Sequence, residues 1–194
     1  MHHRNLTPPK GALWFIGDTH FGHAGSIKHT GRPFASVAEM DALLIEAWNS
    51  CVRANDTVVQ FGDFEWGHAP ARTAEIFASL KGRKHLIVGN HDRKRVTDLP
   101  WESVQERLIV HADRKKVVCD HYPLRAWPGS FKGNLHVHGH THGSLPGTSR
   151  SCDVGVDVWG YRPVGLDAIL ERMAATVERP EEIERAAARE ADEA

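Results

Sequence analysis

The sequence predicts an α/β fold with two β-sheets and helices packed against them. Three observations carry this. Short runs rich in Val, Ile and Leu recur along the chain, several continuous enough to be strands covered on both faces. In the first half those runs alternate with helical patterns, the order of a parallel core. Beyond Asp92 they follow one another with little room for long helices, which predicts a second, more antiparallel sheet.

The first strand is expected over Ala12 to Gly17. An amphipathic helix follows from Val37 to Arg53, with Val37, Met40, Leu44, Ala47, Trp48 and Cys51 at helical spacing and Ser36 with Glu39 as a capping box. Thr57 to Gly62 reads as the next strand, Pro70 to Leu80 as a helix opened by proline, and His85 to Gly89 as the third strand. The later strands are expected at Arg107 to Val110, Lys116 to Asp120, Leu135 to Gly139 and Cys152 to Val158, with a closing helix from Pro163 to Thr176. Residues 1–177 are expected to form one domain. Residues 178–194, rich in Ala, Glu and Arg, read as a charged tail, helical or frayed.

A chain of 194 residues suffices for one well-filled core. Lys and Arg number 24 against 25 Asp and Glu, a formal charge of -1, so no strong footprint for nucleic acid shows in the total. Cys51, Cys119 and Cys152 lack metal-binding spacing and read as reduced, mostly buried thiols. No apolar stretch has the length of a membrane span, and the N-terminus lacks a secretory apolar segment, so a cytoplasmic location is expected. His2 and His3, at the terminus, are read as solvated.

Five segments carry chemistry, each at the end of an apolar run: Asp18-Thr19-His20, Gly62-Asp63, Gly89-Asn90-His91-Asp92, His121, and Gly139-His140-Thr141-His142. Carboxylate, amide and imidazole groups at the carboxyl ends of neighbouring strands suit a pair of divalent cations, because the sheet fixes the backbone while the loops leave an open face. A glycine at 17, 62, 89 and 139 precedes four of the segments, where the backbone must turn or approach closely.

In this order the five blocks resemble the calcineurin-like metallophosphoesterase superfamily, and within it a group of small bacterial and phage phosphoesterases. The resemblance spans Asp18 to His142 with no ligand substituted. It implies a four-layer αββα sandwich of two mixed sheets. It also implies that Asp18, His20, Asp63 and His142 bind one metal, that Asp63, Asn90, His121 and His140 bind the other with Asp63 bridging, and that His91 stays unligated. Manganese or an iron-containing pair is implied as cofactor; zinc, nickel or cobalt would also suit these ligands. The reaction implied is hydrolysis of a small phosphate ester by a hydroxide bridging the metals, with His91 assisting the leaving group. No long insertion separates the blocks, so the site is expected to be open, which favours a phosphodiester of nucleotide type over a monoester. A non-catalytic scaffold would be expected to have lost ligands. A metallo-β-lactamase-like reading of residues 136–142 lacks the required Asp and leaves Gly89-Asn90-His91-Asp92 unexplained.

Substrate contacts are expected from His23, which could instead support the metal shell, from Arg32 in a loop able to fold over the site, and from Arg125. Arg125 lies in a segment, Tyr122 to Lys132, that mixes aromatics with cations and would suit a nucleobase and phosphate. Glu65, Trp66 and His68 read as a turn able to line the rim, and Asp92 as a loop-orienting or Asx-turn residue.

Overall fold

The computed structural model describes residues 4–192, so His2 and His3 lie outside the described residues. In chain order the elements are β1 (Arg4–Leu6), β2 (Leu13–Ile16), α1 (Ala24–His29), α2 (Val37–Cys51), β3 (Thr57–Gln60), α3 (Pro70–Ser79), β4 (Arg83–Ile87), α4 (Lys94–Thr97) and β5 (Ser103–Gln105). The second half contains β6 (Arg107–Ala112), β7 (Lys115–Asp120), β8 (Leu135–His138), β9 (Ser151–Asp153), β10 (Val164–Gly165), α5 (Leu166–Ala175) and α6 (Glu181–Asp192).

Two five-stranded sheets form, ordered β10-β2-β3-β4-β5 and β1-β6-β7-β8-β9. In the first, β2 through β5 run parallel and only β10 is antiparallel. The second was expected to be more antiparallel, yet only β6 and β7 pair that way; β1–β6, β7–β8 and β8–β9 are parallel. The physical reason is that the connections at 121–134 and 139–150 are long loops that cross over without a long helix. The one hairpin turns through Asp113 and Arg114 at φ 48° and 62°, the two positive values of a type I′ turn.

Alternation along the first sheet explains why both its faces are apolar. Phe15, Val59 and Ile87 face the second sheet, where they meet Leu108, Val110, Val117, Cys119 and Val137. Their neighbours Ile16, Val58 and Leu86 face outward onto Met40, Leu44 and Trp48 of α2 and Ile76 and Phe77 of α3. Ser36 caps α2, accepting from the Glu39 N–H at 3.2 Å, while the Glu39 carboxylate accepts from Ala35 N–H at 2.8 Å rather than from Ser36. On the far side of the second sheet Trp127 packs against His136 at 5.3 Å. Helix α6 docks there through Ser130 Oγ, which donates to Glu182 at 2.6 Å, completing the helix-sheet-sheet-helix order.

Two of the expected elements are placed differently. The run Cys152 to Val158 is not one strand: it pairs only over β9, then turns at Gly155 into a 3₁₀ turn at Val156–Val158. The closing helix starts at Leu166, because Val164 and Gly165 pair with Phe15 and Trp14 as an added edge strand. No helix among the described residues is long and apolar enough to cross a membrane.

Candidate metal centre

The loops leaving β2, β3 and β4 of one sheet and β7 and β8 of the other converge at one edge of the sandwich. They assemble two groups, Asp18 with His20 and His142, and Asp63 with His121 and His140, whose donor atoms within each group lie within 4.8 Å of one another. Asp63 stands between them: its Oδ2 is 3.5 Å from His20 Nε2 and its Oδ1 3.8 Å from His121 Nε2. Each group therefore draws on both sheets.

The backbone is strained where it presents these side chains. Asp18, His20, Asp63, His140 and His142 all have positive φ, between 49° and 70°, making up five of the eight such non-glycine residues described. Conformations of this kind cost about 1–3 kcal/mol each and persist only where the surroundings over-determine them. Here they are held by a lattice of bonds. His140 N–H donates to both Asp18 oxygens at 3.0 and 2.9 Å, and His91 N–H to Asp63 Oδ1 at 2.9 Å. Asp92 accepts from the N–H groups of Asp63, Phe64 and Gly89 at 2.8–3.0 Å, so it orients the two loops. Burial raises its carboxyl to about 6. Gly89 is needed for space: a Cβ there would stand 2.3 Å from Asp63 Oδ1.

The donor set fits divalent cations. His121 Nδ1 faces the Phe61 carbonyl at 2.7 Å, so its proton sits there, and the bare Nε2 faces Asn90 Oδ1 at 2.9 Å. A cation between these two acceptors reconciles the contact. Asp18 is fully buried, and burial first, then the Asp153 and Asp63 carboxylates, push it well above the usual carboxylate range; a neighbouring cation would keep it ionised. His20 is driven down to about 2 by burial, then by Arg32 and nearby imidazoles, which leaves it neutral as a ligand must be.

The residues behind the ligands were the least legible. Arg32 is buried and reaches no cleft. Its Nε and Nη2 grip Asp157 at 2.8 and 2.9 Å, and its remaining bonds go to the carbonyls of Thr19 and Asp18 at 2.9 and 2.7 Å and to Met40 Sδ at 3.4 Å. Asp157 accepts in turn from His142 Nδ1 at 2.6 Å, which points Nε2 at the metal group. Burial pushes the Asp157 carboxyl up, but the bonds from His142 and Arg32 outweigh it and hold it at about 2. The expectation that Arg32 meets substrate is thus corrected: its guanidinium is committed to a buried carboxylate. Asp157 was missed, although an Asp inside an apolar run signals a hidden partner. Arg125 is corrected too. It is exposed and paired with Glu181 at the start of α6, and lines a separate cavity with Trp127 and His136. His23 does sit beside the centre, with its Nδ1 3.4 Å from that of His20.

A cleft of about 760 Å³ opens beside the first group, walled by His20, His23, Trp66, His91, Thr141 and His142 among others. The His91 imidazole is partly exposed, with Nε2 4.0 Å from Asp63 Oδ2. Residues 12–170 match the model of the calcineurin-like phosphoesterase family.

This chain belongs to that family.

Within and around the family, it is 32% identical over 167 residues to uncharacterized protein MJ1445 of Methanocaldococcus jannaschii, covering 82% of this chain and 89% of that one. It is 28% identical over 192 residues to the gene 66 protein of Mycobacterium phage L5, covering 81% and 92%. Its fold resembles the crystal structure of AQ665 from Aquifex aeolicus, a protein of unknown function, at a TM-score of 0.67 with 23% identity, covering 82% of this chain and 98% of that one. The calcineurin-like phosphoesterase fold accordingly carries both His/Asp groups at the strand ends, where open sheets place ligand sites.

Proposed function

We propose that this chain is a dinuclear-metal-dependent phosphoesterase that hydrolyses a phosphodiester. The observation that carries the reading is the pair of His/Asp groups with Asp63 between them, its Oδ2 3.5 Å from His20 Nε2 and its Oδ1 3.8 Å from His121 Nε2. Asp18, His20, Asp63 and His142 would hold one cation; Asp63, Asn90, His121 and His140 the other. Mixed imidazole and oxygen ligation suits manganese or an iron-containing pair, with zinc, nickel or cobalt as alternatives. Two bound divalent cations supply an activated water and neutralise charge on the phosphate. His91, beside the pair with its imidazole open to the cleft, delivers a proton to the departing ester oxygen. Arg32 and Asp157 act behind His142, fixing its tautomer and direction. Residues 1–177 form the catalytic unit, and the three free thiols suit a reducing, cytoplasmic location.

The diester preference is supported by the cleft, whose volume of about 760 Å³ gives a second ester arm room. With Mn²⁺, bis-p-nitrophenyl phosphate is expected to be turned over with higher kcat/KM than p-nitrophenyl phosphate. The reverse order would overturn the diester assignment, and no turnover of either would overturn the hydrolase reading.

Replacing Asp157 with Asn removes the charge that orients His142 and orphans the Arg32 guanidinium. Affinity at the Asp18 group is expected to fall about 10–100-fold. Metal analysis after dialysis against a weak chelator should then find one equivalent where the wild type keeps two.

A further inference from the structure

The wall of the cleft nearest His91 is formed by Trp66, a residue with no part in holding the metal groups. Its indole stands edge-on to the His91 ring at 5.2 Å and lies 6.2 Å from that of His23. Arg93 sets its guanidinium over the indole at 5.5 Å. Arg95 lies 6.0 Å away but is tied to the buried Glu65 at 2.8 Å, whereas exposed Arg93 makes no ion pair among the described residues. A free cation over a half-buried aromatic face, beside a phosphate-sized centre, is the pairing that receives a second flat ring.

The rest of the cleft narrows the chemistry of that ring. No Asp, Glu, Lys or Arg lines it, so the ester arm it takes carries no further charge. Its hydroxyls are all oriented. Ser26 Oγ donates to His23 O at 2.7 Å, Thr30 Oγ1 to Ser26 O at 2.9 Å, Thr141 Oγ1 to Asp153 at 2.6 Å and Ser144 Oγ to Thr141 O at 2.7 Å. Ser26 is buried against Met40 and Thr30 also reaches Asp157, so Thr141 and Ser144, with their protons committed inward, are the oxygens left as acceptors for the cleft. That suits a ligand rich in N–H and O–H donors, as a base and its sugar are.

We propose that Trp66 and Arg93 form a nucleobase platform beside the metal centre, so that the ester bound there is a nucleotide whose base stacks on the indole and whose sugar faces the hydroxyl-lined wall. This rests on the phosphoesterase reading and names its substrate class. The base occupies the arm of the ester nearest His91, and the phosphate lies over Asp63.

Calorimetry on Mn²⁺-loaded protein tests it with two diester analogues that cannot be hydrolysed, the phosphinate analogue of thymidine 5′-(methyl phosphate), with methylene in place of both ester oxygens, and dimethylphosphinate, which share a charge and differ in the nucleoside. The nucleoside ligand is expected to bind about tenfold more tightly. Trp66→Ala should bring the two affinities together, Trp66→Phe should restore most of the gap, and Arg93→Ala should narrow it. Equal affinities in the wild type, or a gap that survives Trp66→Ala, would overturn the platform. Turnover of bis-p-nitrophenyl phosphate by the same preparation reports separately on the hydrolase reading, since it has no nucleoside.

Discussion

Asp63→Ala is expected to strip the protein of both cations and to lower phosphodiester turnover to below ~1% of wild type. Asp63 faces both groups, Oδ2 toward His20 and Oδ1 toward His121. Residues behind a ligand typically cost about 10–100-fold when changed, and a ligand shared by two sites must cost more. Truncation also removes the acceptor of the His91 N–H, so the loop that carries Asn90 loses one of its anchors. Elemental analysis of the purified variant decides the matter: two equivalents of metal still bound would show that Asp63 does not bridge.

His91→Ala should separate chemistry from metal loading. The His91 N–H that braces Asp63 belongs to the backbone and survives the substitution, and the imidazole lies to the side of both groups. Both cations are therefore expected to remain while kcat falls about 10²–10⁴-fold, the range for a positioned general acid. The loss should be steeper for an alkyl leaving group than for p-nitrophenolate, which departs without a proton. Equal losses on the two substrates, or loss of metal, would count against proton delivery by this residue.

Much of the candidate site was legible because its parts are local. Each candidate segment closes an apolar run, so the strand and the chemistry proposed for it are read together, as with Leu86-Ile87-Val88-Gly89 before Asn90. The helix at Val37–Cys51 was legible for a similar reason, since its period and its cap lie within the same few turns. What escaped is settled by partners far away in sequence. Arg32 in a glycine-proline loop reads as a free cation, and only folding brings Asp157, 125 residues on, to meet it. The same applies to Arg125 and Glu181. The strands β1, β5 and β10 have only two or three residues each, too few to show a period; they exist because a neighbouring strand offers its edge. Cys152 to Val158 misled because its apolar run continues through a turn at Gly155, where a Cβ would press on Asp18 Oδ2 at 2.7 Å.

Drawing each His/Asp group from both sheets has a mechanical outcome. His142 belongs to a loop of one sheet and Asp18 to a loop of the other, and the same division separates His121 and His140 from Asp63. An ion seated in either group would thus act as a rivet across the seam of the sandwich, beside the bonds from His140 N–H to Asp18 and from Gly17 N–H to Val154 that already cross it.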